Sequence, residues 1–342
     1  MVKNIISWDL GATKCAAAIV EYHEDTEEYK CKKQYSVRLS ACRSLEDLTS
    51  QLEQALGLKM RDADAICIGA AGFYDGSQLL HDTGYPYPMH FAKLAETEKW
   101  PSYAVIHDYS PIVCSTFTSS MKDPQSVIRL NQREVNPLGR RIALGVGTGL
   151  GLKDGILFKC GDFWLGNNET GHIGVSIPPY TYSHYHERHD EFVKFLRSES
   201  VLGADEALTF EKILSGKGIV RLYRFFHPET SDHSPEIIGK KISLGESNRV
   251  RAFFAWYLGL FVGTVQLAYM PDGGIWITGG VIQNHMNVFS CAEFFHGIEA
   301  SPAFLTKRQE FPLGVLCGAE HGFVGGAYYA VKRLLTPPSK AC

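Results

Sequence analysis

The chain has 342 residues, of which 45% are hydrophobic and 21% charged. This size and composition predict a globular protein with two domains, each large enough for a core of its own. The net charge of −3 gives no reason to expect nucleic acid or an anionic membrane as a partner. Nine cysteines without a C-x-x-C pair indicate reduced thiols in a cytoplasmic protein. The N-terminal residues predict a strand at once, so no signal peptide is expected.

The N-terminal third predicts a mixed α/β layer that begins as a β-meander. A capping box of Ser44 and Asp47 starts a helix, and Gly57 ends it. Strands are predicted at 5–9, 15–21, 29–39, 65–69 and 104–106.

The remaining two thirds of the chain restart the pattern. The segment 252–270 has no charged residue, but its glycines and its Gln266 favour a buried helix over a membrane span. The other predicted elements are a strand at 126–130, a hairpin at 142–158, an exposed loop at 178–190, helices from 191 and over 210–226, a strand within 273–282, a last helix at 327–335 and a frayed end at 339–342.

A glycine-rich hairpin dominates the middle of the sequence. Gly147-Thr148-Gly149-Leu150-Gly151 follows an apolar strand, and a Glu and a His come soon after it. Alternating glycines allow backbone N–H groups to approach an anion closely, so this segment predicts a phosphate-binding loop. It fits neither the Rossmann fingerprint nor a P-loop. A plain β-turn remains the alternative.

Two further turns carry acidic groups at strand ends. Asp9, with Gly11 and Thr13 behind it, could hold a metal-bound water while the backbone contacts a phosphate, or could form an ordinary hairpin turn. Asp108 follows a buried strand and could be a general base, a helix N-cap, or both.

Two other patterns are less specific. The Gly279-Gly280 pair offers a flat backbone surface for a base or ribose, or simply forms a strand-to-helix turn. His184, His186 and His189 stand close together in the sequence. They lack a carboxylate or cysteine at ligand spacing, so a metal site there is not favoured.

Seven short motifs, taken together and in this order, resemble those of the bacterial glucokinase family, within the hexokinase, actin and Hsp70 superfamily. The resemblance extends from about residue 5 to about residue 329. The related ROK group is less similar, because no C-x-C follows His172. The motifs are Asp9-Leu10-Gly11-Ala12-Thr13, Ile106-His107-Asp108, Gly147-Thr148-Gly149-Leu150-Gly151, Glu169-Thr170-Gly171-His172, Leu196-Arg197-Ser198-Glu199, the segment 214–223 and Gly279-Gly280-Val281.

The resemblance implies an α/β fold of two domains, the ribonuclease-H-like actin/hexokinase fold with an interdomain active-site cleft. It implies a small α/β domain, residues 1–110 with the C-terminal helix at about 327–336, and a large α/β domain, residues 111–326. The implied activity is ATP-dependent phosphorylation of a hexose, most simply glucose at O6, in a cytoplasmic homodimer that uses Mg²⁺.

The resemblance also implies roles for single residues. Asp108 is the implied catalytic base, and Asp9 the residue that holds Mg²⁺ through water. The residues implied to contact ATP and its phosphates are Asp9, Gly11, Ala12, Thr13, Thr148, Gly149, Gly279 and Gly280. The residues implied to contact the sugar are His107, Glu169, His172 and Glu199.

Three departures from the family pattern bear on the substrate. Ala12 stands where the family has a second glycine, and His107 stands where it has asparagine. Residues 81–85, HDTGY, replace its T-N-x-x-W. A site that recognises particular hydroxyls is sensitive to such changes. A kinase for another hexose or an amino sugar therefore remains an alternative, as does a sugar-binding sensor that has lost catalysis.

Overall fold

The computed structural model describes residues 1–81, 84–176, 183–231 and 234–336. The chain divides into a first unit, Met1–Val127, Asp154–Leu165 and Cys317–Cys342, and a second unit, Ile128–Lys153 and Gly166–Leu316. The predicted domain boundaries stay a prediction, because this division does not test which segments fold or move independently. Asp82, Thr83 and 339–342 lie outside the described residues, as do the side chains of His184 and His186.

The first unit is built on a five-stranded sheet with the order β3-β2-β1-β4-β7. β1 pairs antiparallel with β2 and parallel with β4, and β4 pairs parallel with β7. The predicted meander and the strands that follow it are therefore confirmed. The strands up to this point are β1 (Val2–Leu10), β2 (Lys14–His23), β3 (Glu28–Arg38), β4 (Ala65–Ala70), β5 (Phe73–Tyr74), β6 (Leu79–Leu80) and β7 (Tyr103–His107).

The second sheet has the order β11-β10-β9-β12-β13-β8. Its centre is parallel, since β12 pairs in this sense with both β9 and β13. The boundary of the two units passes through β10. The strands of this sheet are β8 (Val127–Arg129), β9 (Arg141–Val146), β10 (Leu150–Leu157), β11 (Phe163–Leu165), β12 (Gly274–Thr278) and β13 (Leu313–Leu316).

Helices cover the sheets and carry several of the candidate residues at their ends. The last of them continues into a π-helical turn, Val331–Leu335. The helices in the described part of the chain are α1 (Leu45–Leu56), α2 (Phe91–Thr97), α3 (Tyr109–Ser115), α4 (Ser183–Ser198), α5 (Phe210–Ile213), α6 (Gly216–Phe226), α7 (Pro235–Ser243), α8 (Asn248–Tyr269), α9 (Gly280–Asn284), α10 (Ala292–Glu299), α11 (Leu305–Arg308) and α12 (Glu320–Ala330).

The first unit has apolar cores on both faces of its sheet. Successive strand residues point to opposite faces, so Ile6 joins the core under α1 and α2 while Ile5 joins a second core with Phe323 and Ala327 of α12. The predicted start of α1 is confirmed, because Ser44 Oγ accepts the Asp47 N–H at 3.3 Å. The C-terminal helix is thus an integral part of the first unit.

The apolar segment 252–270 is a buried helix, as predicted. The helix α8 is long and apolar enough to span a membrane, yet 72% of its most apolar window is buried within the protein. The helix α10 packs tightly against it at two glycines. A Cβ at Gly259 would lie 1.9 Å from the carbonyl oxygen of Phe294, and a Cβ at Gly297 would lie 2.2 Å from that of Trp256. This close contact requires glycine at both positions.

Several expectations about secondary structure and cysteines were wrong. The last helix, α12, begins at Glu320, seven residues before the predicted start at 327. The helix α4 begins at Ser183, eight residues earlier than predicted, and part of the predicted loop is therefore helical. Tyr185 stacks on Trp256 at 4.9 Å, which is packing that an apolar-periodicity pattern does not reveal. The predicted helix over 210–226 is divided at Ser215, which caps α6, and α7 was not predicted. Seven cysteines of the described residues are free thiols, as expected, whereas Cys160 is disulfide-bonded.

Candidate functional site

The turn after β1 carries the first candidate group of the first unit. Asp9 lies opposite Ala16 of β2 and beside Gly69 of β4. The turn itself is closed by the Gly11 N–H, which donates to the Lys14 carbonyl at 2.9 Å. A hairpin turn is therefore present, as one of the two interpretations predicted. Since Asp9 reaches solvent at the end of its strand, the hairpin leaves a ligand-binding role open.

The pKa of Asp9 is unusual for an aspartate. Loss of hydration among the surrounding protein atoms, and then the negative charge of Asp108, raise this pKa to about 6. The positive charge of Lys14 opposes the shift. Two carboxylates that feel each other's charge disfavour full ionisation of both. A bound divalent cation would relieve the repulsion, and carboxylate oxygens with water are the ligands that Mg²⁺ prefers. The residues present thus fit a magnesium site.

Asp108 is fixed by the backbone at the end of β7. Its N–H donates to the Ala70 carbonyl of the neighbouring strand at 3.1 Å. Its side chain caps α3, since Oδ1 accepts the Tyr109 N–H at 3.0 Å. The N-cap interpretation is therefore confirmed, and it is compatible with a role as a base because a carboxylate has further acceptor capacity.

Two side chains that depart from the family pattern surround Asp108. His107 Nδ1 lies 3.0 Å from Asp108 Oδ1. Tyr85, at the position where the family motif has tryptophan, donates its hydroxyl proton to the Ala71 carbonyl at 2.5 Å. Burial and then the charge of Asp108 raise the pKa of Tyr85, which indicates that the phenol is near the carboxylate. Two of the positions that depart from the family pattern are therefore close to Asp108.

In the second unit, the glycine-rich loop connects β9 to β10. The Gly147 N–H donates to the Gly149 carbonyl at 2.9 Å, and the Gly216 N–H at the start of α6 donates to the Gly147 carbonyl at 2.8 Å. A Cβ at Gly147 would meet nothing within 4 Å. Internal packing therefore does not explain this glycine, and the phosphate-binding role of Thr148 and its neighbours stays a prediction.

A glutamate that the sequence analysis did not single out lies beside this loop. Glu211 Oε2 lies 3.6 Å from His172 Nε2 and accepts the Leu150 N–H at 3.4 Å. A Cβ at Gly149 would lie 3.1 Å from the same oxygen. In the sequence, only its position could have indicated a role for Glu211, because it stands in the turn of helix just before the L-S-G motif at 214–216.

The other two predicted glutamates have different surroundings. Glu169 is exposed and precedes the 3-10 turn Thr170–His172, whose His172 N–H donates to its carbonyl at 3.0 Å. Glu199 follows the last turn of α4 and forms an ion pair with Arg224 of α6. The assignment of Glu199 as a sugar ligand stays a prediction, whereas Glu211 is placed beside His172.

The two glycines after β12 have different structural needs. Gly279 has φ of 105°, and a Cβ there would lie 2.3 Å from the Val146 carbonyl oxygen of β9. Glycine is therefore required at 279 by the close approach of two strand ends. A Cβ at Gly280 would meet nothing within 4 Å. A substitution at Gly280 can therefore test nucleotide binding without disturbing the fold, whereas a substitution at Gly279 cannot.

Within the described residues, no group of three or more His, Cys, Asp or Glu side chains could hold a metal ion. A metal in the first unit would thus be held by few protein ligands. This is the usual situation for Mg²⁺, which keeps several waters and is often shared with substrate phosphates.

Comparisons with known proteins point in one direction. A family model described as Glucokinase matches residues 6–333. A glucokinase from Saccharophagus degradans is 25% identical over 271 residues, which is 77% of this chain and 79% of that protein.

Solved structures of similar fold include a glucokinase from an Antarctic psychrotroph, with a TM-score of 0.75 and 18% identity, over 95% of this chain and 98% of that one. A ROK family glucokinase from Streptomyces griseus, solved in complex with glucose and AMPPNP, has a TM-score of 0.57 and 19% identity, over 96% and 97% of the two chains. At these identities the structures show a shared fold.

Proposed function

The chain belongs to the glucokinase family, whose members are sugar kinases, and we propose that it transfers the γ-phosphoryl group of ATP to O6 of glucose. The proposal rests mainly on the position and surroundings of the Asp108 carboxylate. This carboxylate is fixed at a strand end by its own N–H, which donates to Ala70 at 3.1 Å, and its negative charge helps burial to raise the pKa of a second carboxylate, Asp9, to about 6.

Asp108 is the general base in the proposed reaction. It accepts the proton of the sugar hydroxyl while the O6–phosphorus bond forms, and the bond from phosphorus to the β–γ bridging oxygen breaks to release ADP. General-base assistance contributes about 10²- to 10⁴-fold to such reactions. Positioning and neutralisation of the phosphate charge supply most of the remainder.

The phosphate-binding groups of the proposal are backbone donors and one carboxylate. Asp9 would hold Mg²⁺ through water, and a bound Mg²⁺ neutralises charge on the phosphate oxygens. The loops that start at Gly11 and Gly147 supply N–H groups and the Thr13 and Thr148 hydroxyls. Ala12 belongs to the first of these loops. Gly280 would face the adenosine, and Gly279 would allow the close backbone approach that places Gly280.

The sugar-binding groups of the proposal are polar side chains. His172 and Glu169, the residue directly before the turn that carries His172, would bond sugar hydroxyls. The 3.6 Å contact of His172 with Glu211 supports Glu211 as a further ligand and favours it over Glu199. Hydrogen bonds to charged groups contribute about 1.5–3 kcal/mol each, which is enough to select among hexoses.

The test is an ADP-release assay with Mg-ATP and a panel of glucose, mannose, fructose, glucosamine and N-acetylglucosamine. We expect selective turnover of glucose. Selective turnover of another sugar would replace glucose as the acceptor but keep the reaction. Sugar binding without turnover of any member of the panel would contradict the proposal and favour the sensor.

A different hexose or an amino sugar is the second candidate, and a specific observation motivates it. His107 stands in place of asparagine and contacts Asp108 at 3.0 Å. An imidazole offers fewer hydrogen-bonding options to a hydroxyl than a carboxamide does. We also propose that the protein acts in the cytoplasm, where ATP is available, and that it forms the homodimer implied by the family resemblance.

A further inference from the structure

The peptide at the end of β4 connects the strand ends that carry the two candidate carboxylates of the first unit. The Ala70 carbonyl accepts the Asp108 N–H at 3.1 Å, and the Ala71 N–H donates to the Leu10 carbonyl at 3.0 Å. These two groups belong to one planar peptide unit, so they point in opposite directions. This peptide therefore joins the end of β7, which Asp108 follows, to the end of β1, which carries Asp9.

The next carbonyl along the chain, that of Ala71, is held by a side chain. The strand β4 ends at Ala70, and Gly72 has φ of 113°, so the backbone leaves the sheet directly after Ala71. The hydroxyl of Tyr85 donates to the Ala71 carbonyl at 2.5 Å. In the described part of the chain, no backbone N–H donates to this carbonyl. Tyr85 is therefore what restrains the peptide next to the one that joins the two strand ends.

The ring of Tyr85 is fixed as well, which gives its hydroxyl a defined position. The ring packs against the apolar core under α1 and α2, and its centroid lies 5.5 Å from that of the His81 ring. Because packing already orders the ring, the hydroxyl can hold a backbone group at little further cost in conformational entropy. Burial and then the charge of Asp108 raise the pKa of Tyr85, so the hydroxyl keeps its proton and remains a donor.

From these contacts we propose that Tyr85 is a positioning residue for Asp9 and Asp108 in the phosphoryl transfer, an inference that rests on the proposed function. The role involves no contact of Tyr85 with ATP or sugar. Without the hydroxyl, the peptide between Ala71 and Gly72 is free to rotate, and the two hydrogen bonds of the preceding peptide loosen. The proposed base and the proposed magnesium-holding carboxylate then lose their fixed spacing.

Removal of one oxygen atom tests this role. Tyr85→Phe keeps the ring and loses the donor, and we expect kcat to fall about tenfold, since misplacing a reacting group by an ångström costs up to about 10²-fold. The sugar KM should stay within about threefold, because no proposed sugar ligand of the second unit is altered.

Tyr74→Phe is the matched control for this substitution. Tyr74 packs against the same core, but its hydroxyl donates to the Gly76 carbonyl at 2.9 Å, within the β5–β6 hairpin. We expect kcat of this variant to stay within about twofold of the unsubstituted enzyme. Equal kcat values for the two variants, or a loss in Tyr85→Phe that lies wholly in the sugar KM, would overturn the proposal.

Two unnatural side chains at position 85 separate the donor from the volume of the hydroxyl. A 4-aminophenylalanine carries an N–H donor where tyrosine has its O–H, whereas a 4-fluorophenylalanine fills the space and cannot donate. We expect the amino variant to recover kcat to within about threefold and the fluoro variant to match Tyr85→Phe. If Tyr85→Phe does not fold, this pair replaces it. Equal kcat values for the pair would overturn the role of the donor.

Amide hydrogen exchange, followed by NMR, provides a readout that does not depend on activity. The amide protons of Ala71 and Asp108 report the two hydrogen bonds of the connecting peptide. We expect both to exchange about tenfold faster in Tyr85→Phe than in the unsubstituted protein, and within about twofold of it in Tyr74→Phe. Unchanged exchange of both amides in Tyr85→Phe would overturn the proposal.

Failure of the proposed function has a different signature. Unsubstituted protein without turnover of any sugar, or Asp108→Asn with activity retained, would refute Asp108 as the base of a sugar kinase. The exchange rates of the two amides would be unaffected by that result. Failure of the positioning role alone would leave Asp108→Asn inactive, and Tyr85→Phe with the same kcat as Tyr74→Phe.

Discussion

The candidate carboxylates of the two units have opposite electrostatic surroundings. In the first unit, burial and then the like charge of Asp108 raise the pKa of Asp9 to about 6. In the second unit Glu211 faces His172 and Glu199 faces Arg224. An arrangement of like charges costs stability unless a cation or a proton is added. This difference fits the proposed roles. The carboxylates of the first unit would bind a cation and accept a proton, and those of the second unit would accept hydrogen bonds from neutral sugar hydroxyls.

The largest effect is expected from a substitution that removes the proposed base, Asp108, from the first unit. Asp108→Asn should lower kcat by about 10³-fold, since it abolishes general-base assistance. Asparagine can still accept the Tyr109 N–H, so the thermal unfolding midpoint should change little. The ADP-release assay and circular dichroism measure the two quantities. More than a few per cent of residual activity would contradict the role of Asp108.

The next largest effect is expected on the stability of the second unit, from a substitution at Gly279. Gly279→Ala places a Cβ 2.3 Å from the Val146 carbonyl oxygen at φ of 105°, and we expect the free energy of unfolding in urea to fall by about 3 kcal/mol. Gly280→Ala is the matched control, because its Cβ meets nothing within 4 Å. It should change stability by less than about 0.5 kcal/mol. Equal losses would show that the backbone contact is not decisive.

The contrast between the two glutamates of the second unit gives the next effect. Glu211→Gln should lower kcat/KM for the sugar by about 10- to 100-fold, as expected for loss of a charged hydrogen bond. Glu199→Gln removes only the partner of Arg224 and should cost less than about threefold. Steady-state kinetics with saturating ATP compare them. The reverse order would restore Glu199 as the sugar ligand and remove Glu211.

The smallest effect tests the like-charge pair through pH. Since the pKa of Asp9 is raised from 3.8 to about 6, the folded state disfavours the ionised form, and stability is lost as the pH rises through this window. Asp9→Asn should therefore raise the free energy of unfolding by about 1 kcal/mol at pH 7.5 without Mg²⁺, a value discounted because Asp9 reaches solvent. At pH 4 the difference should nearly vanish.

A second measurement on the same variant connects stability with function. We expect Asp9→Asn to require a higher Mg²⁺ concentration for half-maximal activity, because the proposed outer ligand loses its charge. Protein with unchanged stability at both pH values and an unchanged Mg²⁺ requirement would show that the Asp9–Asp108 pair has neither role.

The sequence predicted the elements whose signals are local. Ser44 and Gly57 marked the ends of α1, and the alternation along β1 to β3 marked the meander. The helix α4 was placed too late because Tyr185 packs on Trp256, a residue of α8 far along the chain. Periodicity within a segment contains no information about such a partner.

The candidate site follows the same rule. Asp108 was found because it follows an apolar strand, β7, which was expected to be buried and is half-buried in the structure, and its cap on α3 was foreseen. Glu211 was missed because its significance comes from His172 and Leu150, which are brought to it by the fold. His107 and Asp108 are neighbours in the sequence, but only the structure shows that His107 Nδ1 lies 3.0 Å from Asp108 Oδ1.

The helix α12 has a consequence for biosynthesis. It supplies Phe323, Ala327 and Ala330 to a core whose other members include Ile5 and Ala18 near the N-terminus. A ribosome has made almost the whole chain before this helix emerges, so one face of the first sheet must wait, uncovered, while the second unit is synthesised. Such exposed apolar surface is what chaperones bind and what aggregates. Newly made chains released before residue 320 should therefore depend on chaperones far more than the finished protein does.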